Sequence, residues 1–213
     1  KNTMFENPRH LSGRILLGRA YLLTGEFENA EKQFKQAITD GADKSQLVVP
    51  LGQSYLMQGK YDELLASIKV TSLPATMVTE VYSLRGRAHL ELDNYQQARE
   101  QFDLAIESNV SEPVGYLGLA ITELKLGNVS LAEQWIESAL NLKPDNAEAL
   151  LLKGDVYFRE GNYRLAKELL NQSLLLDGNG LRARLLLAEI LLSESNIEKA
   201  LEHIQFVLDK NPN

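Results

Sequence analysis

Apolar residues recur along this chain at spacings of three and four, as in Leu17, Tyr21 and Leu22 or Ala98, Phe102, Ala105 and Ile106. That period gathers them on one stripe of an α-helix and leaves the remaining faces polar. The stripes are short, and turn-forming residues interrupt them regularly: Gly25, Gly59, Asp93, Gly127, Gly161 and Ser195. In the last four cases an Asn comes next, at Asn94, Asn128, Asn162 and Asn196, a residue suited to capping the next helix. The pattern predicts pairs of amphipathic helices joined by tight turns.

A second regularity fixes how the pairs relate. Gly18, Gly52, Gly86, Ala120, Gly154 and Ala188 stand 34 residues apart with no insertion or deletion. Twelve residues beyond each lies Ala30, Leu64, Ala98, Ala132, Ala166 or Ala200, and four further on Phe34, Ile68, Phe102, Ile136, Leu170 or Ile204. A small residue on each helix lets two backbones approach, and the larger side chain fills the space beside them. A bulkier residue in the small columns would overpack the contact. One hairpin of this size cannot bury its own stripe, so each must stack on its neighbours. The frame runs 11–44, 45–78, 79–112, 113–146, 147–180 and 181–213. Residues 1–10 read as the tail of an earlier repeat, because Pro8 holds the place that Pro144 and Pro212 hold later, and the natural protein is expected to continue at both ends.

The runs Leu17-Gly18-x-x-Tyr21 and Ala30-x-x-x-Phe34-x-x-Ala37, with Pro144 or Pro212 closing a repeat, resemble the tetratricopeptide repeat. The resemblance implies an all-α fold: an α-solenoid of about six 34-residue helix-turn-helix repeats in a right-handed superhelix, forming a single array over residues 11–213. The family's first aromatic is replaced by Arg14, Val48, Tyr82, Tyr116, Leu150 and Arg184, which predicts local repacking. Pro50 removes a backbone donor, so the first helix of the second repeat is expected to start near it. Pro74 disfavours helix at Leu73, and Ser72 can cap the helix after it. The second helix of that repeat should therefore end early, and the next begin near Ala75. A finer resemblance lies in Tyr55 through Leu65, Ser72-Leu73-Pro74 and Leu84 through Ala88, which look like the long tetratricopeptide lipoproteins of bacterial exosortase (PEP-CTERM) sorting systems. It implies a secreted protein with a lipid anchor upstream and a role in protein sorting or exopolysaccharide export.

Composition narrows the chemistry. Among 213 residues, 22 Lys and Arg face 29 Asp and Glu, a net charge of −7, so no basic surface is expected to neutralise many phosphates, and nucleic acid is not a predicted partner. There are no cysteines for disulfides or thiolate metal sites. His10, His89 and His203 are the only histidines, and no two share a helix at metal-binding spacing. His89 stands where Tyr21, Tyr55 and Tyr157 stand in other repeats, a polar-tipped filler between helices. The glycines keep to the 34-residue beat and form no phosphate-cradling loop. Acidic pairs such as Glu28 with Glu31 and Glu198 with Glu202 are expected on solvated faces. The reading is a non-enzymatic protein with no cofactor and no metal. Its apolar runs fall far short of the ~20 residues of a membrane span. The compartment is periplasmic or lipid-anchored if the exosortase resemblance holds, and cytoplasmic otherwise.

The candidate site is the concave groove that such repeats line with their first helices. Its columns are Ile15, Val49, Ser83, Leu117, Leu151 and Leu185; Arg19, Gln53, Arg87, Ile121, Asp155 and Glu189; and Leu22, Leu56, Leu90, Leu124, Phe158 and Leu192. The groove is predicted to be apolar, with charge running from Arg19 and Arg87 to Asp155 and Glu189, which would orient a peptide or helix of a partner protein. Family members that clamp a chaperone's C-terminal carboxylate use Lys, Asn and Arg at places filled here by Ile15, Arg19, Pro50, Glu80 and Leu84, so that clamp is absent in this frame. The alternative is a structural spacer whose repeats set a distance or self-associate end to end.

Overall fold

Hairpin by hairpin, the predicted turns close where the residues allow a left-handed backbone. Gly25, Gly59, Gly127 and Gly161 adopt positive φ between paired helices, and so do the non-glycine residues Asp93 (φ 56°) and Ser195 (φ 59°) at the equivalent places. At Asp93 the side chain contributes to its own turn, accepting a hydrogen bond from the Tyr95 hydroxyl at 2.6 Å.

The computed structural model describes residues 11–71 and 73–210; the expected tail at 1–10, the cap at Ser72 and the closing Pro212 lie outside the described residues. These contain twelve α-helices and no strand. The chain divides into two compact units after Val110. The first holds α1 (Leu11–Leu23), α2 (Phe27–Thr39), α3 (Lys44–Met57), α4 (Tyr61–Ser67), α5 (Ala75–Glu91) and α6 (Tyr95–Ser108). The second holds α7 (Pro113–Leu126), α8 (Val129–Leu142), α9 (Ala147–Arg159), α10 (Tyr163–Leu176), α11 (Leu181–Ser193) and α12 (Ile197–Lys210). Within the first unit each odd-numbered helix packs on the next even one, and α1, α3 and α5 also pack in succession; α7, α9 and α11 do the same in the second. The fold class is all-α, built of stacked tetratricopeptide-type hairpins.

The small columns lie where the helices of a pair approach. Ala30, Ala98, Ala132, Ala166 and Ala200 are fully buried, as are Phe34, Phe102, Ile136 and Leu170 beside them. A Cβ placed on Gly18 would stand 2.5 Å from the Phe34 ring, and one on Gly86 would stand 2.6 Å from the ring of Phe102. Where the first column carries Ala120 or Ala188 instead, the facing residue is the narrower Ile136 or Ile204. Both aromatic rings thus face a glycine, while Gly52 and Gly154 face the aliphatic Ile68 and Leu170.

Two local expectations meet different outcomes. α3 does not begin near Pro50; it starts at Lys44 and carries Pro50 in its interior. Asp43 caps it by accepting from the Ser45 N–H at 2.9 Å, and Leu47, Val48 and Val49 are buried in the turn before the proline. Packing of that turn outweighs one lost backbone bond. The break after it does occur: α4 stops at Ser67 and α5 begins at Ala75. Arg85 Nη1 donates to the carbonyls of Leu65 and Ile68, both at 2.9 Å, and so covers the open end of the shortened helix.

The places of the family's first aromatic are repacked as anticipated, from the opposite helix. The Arg184 guanidinium lies 3.7 Å from the ring centre of Phe206, and Tyr116 tilts against Trp135. Arg14 instead pairs with Asp40 at 2.9 Å.

Gly86→Ala is expected to lower stability by about 1–2 kcal/mol, overpacking outweighing the gain in helix propensity. Combined with Phe102→Ile, the loss should be smaller than the sum of the two single losses in chemical denaturation. Strictly additive losses would show that this contact does not set the helix separation.

Candidate functional site

The face carrying the predicted groove residues is formed in each unit by the first helices of the hairpins, packed side by side. In the first unit Arg19 on α1, Gln53 on α3 and Arg87 on α5 are all exposed. They occupy the same position of three successive repeats, so their side chains form one row. Neither arginine makes an ion pair among the described residues. Ile15 and Leu22 are half-buried beside the row.

Leu56 and Leu90, assigned to the groove from the sequence, are buried in the packing of the first unit instead, and so are Leu117 and Leu124 in the second. Leu56, Leu117 and Leu124 join the core clusters formed between hairpins, whereas Leu22 and Phe158, in the same column as Leu56, Leu90 and Leu124, stay half-buried. Ile121, Leu151 and Phe158 are half-buried, and Glu189 is exposed.

Asp155 departs furthest from expectation. Only 3% of its side chain is exposed, and it is not an open anion. Its carboxylate accepts from Arg159 Nε at 3.2 Å and Nη2 at 3.3 Å, and from Arg182 Nη2 at 2.7 Å. Arg159 lies one turn further along α9, and Arg182 comes from the first turn of α11. Two guanidiniums on one carboxylate leave this patch net cationic. The predicted acidic end of the groove therefore does not form at Asp155. The i,i+4 spacing to Arg159 was a readable signal for that pair; Arg182 was not, because its approach depends on how α11 packs on α9.

A second polar cluster was also hidden. Glu31, expected on a solvated face with Glu28, is buried and accepts from Lys35 Nζ at 2.6 Å, Lys60 Nζ at 2.7 Å and Gln58 Nε2 at 2.9 Å. Burial pushes its carboxyl up, but hydrogen bonds from Lys35, Lys60 and Gln58 more than reverse this and hold it at about 2. The cluster joins α2 to the turn between α3 and α4. Lys167 and Glu194, paired at 2.6 Å, make the same link with reversed charge between α10 and the turn after α11.

His89 and His203 are half-buried, and burial, with Arg85 or Arg184 nearby, pushes each imidazole below its usual range. His10 lies outside the described residues. Among the described residues no group of three or more His, Cys, Asp or Glu is placed to hold a metal ion, and no helix is long and apolar enough to cross a membrane.

Models of the tetratricopeptide repeat match residues 12–39 and 83–149, and the model of anaphase-promoting complex, cyclosome, subunit 3, matches residues 125–207. The chain is a tetratricopeptide-repeat protein. Over 132 residues, 61% of its length, it is 29% identical to the protein CTR9 homolog of Arabidopsis thaliana, of which it spans 12%. Among solved structures, the APC/C hetero-tetramer Cut9–Hcn1 aligns with the whole chain at 20% identity and a TM-score of 0.75, the chain spanning 42% of that one. The first tetratricopeptide domain of Spaghetti (RPAP3), solved bound to the HSP90 peptide SRMEEVD, aligns at 19% identity and a TM-score of 0.50, over 56% of this chain and 94% of that one. At such identities the structural likeness is one of fold. These matches give no support to an exosortase-system origin, a lipid anchor or an export role. The residues that suggested them lie largely on the packing columns and turns that tetratricopeptide repeats share.

Because the Glu31 carboxyl titrates below its ordinary value, the unfolded chain takes up the proton first. The stabilisation is complete above about pH 5 and is lost as pH falls toward 2, about 3 kcal/mol in all. Urea midpoints of wild type and Glu31→Gln, measured from pH 7 to pH 3, should differ at neutral pH and converge in acid. A constant gap would mean the buried carboxylate is not responsible.

Proposed function

We propose that this tetratricopeptide-repeat protein is a non-enzymatic interaction scaffold that takes a peptide or helix of a partner protein on the face formed by the first helices of its hairpins. The observation that carries the reading is the row Arg19, Gln53 and Arg87: exposed, on three helices packed in succession, with Ile15 and Leu22 half-buried alongside. Polar side chains spaced by a repeat, next to apolar ones that are not fully covered, suit an extended or helical segment that offers both kinds of contact. That the RPAP3 domain was solved with a peptide supports this use of the fold, although residues of the family's chaperone clamp are absent here. Ile121, Leu151, Phe158 and Glu189 would serve the same purpose in the second unit. Affinity would come from apolar burial and orientation from charge, since steering by exposed charges acts mainly on register and association rate.

A spacer that self-associates would grow with concentration, which light scattering behind size exclusion reads directly. Replacing Arg19 and Arg87 with Glu together should leave helix content unchanged and remove the partners that cross-linking and mass spectrometry recover with wild type. Recovery of the same partners by both proteins would end this assignment.

A further inference from the structure

The Asp155 cluster does more than balance a charge. A carboxylate with 3% of its side chain exposed is held under two guanidiniums, while Arg159 and Arg182 themselves remain 45% and 58% exposed. Each guanidinium carries several N–H donors in a rigid plane, and only three bonds in all go to Asp155. The remaining donors belong to side chains about half in solvent, whose freedom Asp155 has already restricted. The first turn of α11 adds to the positive field: it contains no acidic residue, and Gly180 before it supplies no side-chain cap. On the same faces, half-buried Phe158 stands one turn from Asp155 on α9, and Leu185 one turn from Arg182 on α11 is 45% exposed.

We infer that Arg159 and Arg182, set in place by the buried Asp155, seat an acidic side chain of an amphipathic segment of a partner protein, with Phe158 and Leu185 receiving the apolar residue beside it. The inference rests on the reading of these helix faces as the binding surface and adds the chemistry of what one of them accepts. Charge complementarity selects the occupant, since these three side chains carry one positive charge in excess and, among the described residues, neither arginine pairs with a second carboxylate. The apolar floor distinguishes a protein segment from a small free anion. Asp155 is then a positioning residue: it does not touch the ligand, and it costs the site attraction while giving it geometry.

That opposition makes the test decisive in sign. The probe is an acetylated, amidated peptide of alternating Leu and Glu, with a Gln counterpart and a counterpart whose only carboxylate is a free C-terminus, each titrated into the full chain by calorimetry. The Glu peptide should bind about tenfold more tightly than the Gln peptide, and Arg159→Gln or Arg182→Gln should each cost about tenfold. Arg182→Lys keeps the charge and loses the planar fork, and should recover little. Asp155→Asn makes the surface more positive and should nevertheless weaken binding. Equal or tighter binding by Asp155→Asn would reduce the effect to net charge and overturn the proposal. So would equal binding of the free-terminus peptide, or indifference to both Gln variants. Should Asp155→Asn lose helix content, the two Gln variants carry the test, because their side chains are largely in solvent. The Arg19→Glu, Arg87→Glu protein separates this claim from the reading beneath it. If it alone abolishes peptide binding, the scaffold assignment stands and this seat falls.

Discussion

The structure depends on how closely two helix backbones can approach within each hairpin. At Gly18 and Gly86 even a methyl group would collide with an aromatic ring, and the ring has no room to yield because Phe34 and Phe102 are fully buried. Close packing of this kind makes the separation of the helices a property of two residues. Everything presented on the outer face of the first helix, Arg19 and Arg87 included, inherits its position from that contact. Neither ring faces an alanine: the rings stand only against Gly18 and Gly86, and Gly52 draws Leu84 of the next hairpin into the space beside Ile68.

Joints between hairpins are built differently. They combine leucine packing with a few polar links, among them the buried carboxylates Glu31, with Lys35, Gln58 and Lys60, and Asp155, with Arg182. A partly exposed pair such as Lys167 with Glu194 adds little stability; the buried version is costly to break, because removing one partner leaves a charge without water. Arg85 has a comparable duty at the shortened α4, where its guanidinium replaces the helical turn that the Leu73–Pro74 break prevents. Such links fix register between neighbours more than they add free energy.

The tetratricopeptide faces also show why a charge read from sequence is not a charge offered to a partner. Asp155 and Glu189 hold the same position of consecutive repeats, yet one is buried beneath two arginines and the other is exposed. The difference comes from Arg159 and Arg182, which only this repeat pair brings together. A surface that was expected to be acidic is locally basic in consequence.

Periodicity determined the twelve helices of the described residues, the turns at Gly25 through Ser195 and the small-to-large pairing, and Pro74 the early end of α4, because each of these is a local or fixed-spacing property of the chain. Arg19, Gln53 and Arg87 were also legible, since an exposed polar residue on the outer stripe of a helix needs no partner to stay there. Tertiary structure decided the rest. It carried α3 through Pro50, buried Leu56, Leu90, Leu117 and Leu124 in the packing of their units, and enclosed Glu31 and Asp155 among their cations. In every such case the outcome turned on contacts between residues far apart in the chain, whose combined burial and pairing outweigh what either residue prefers by itself.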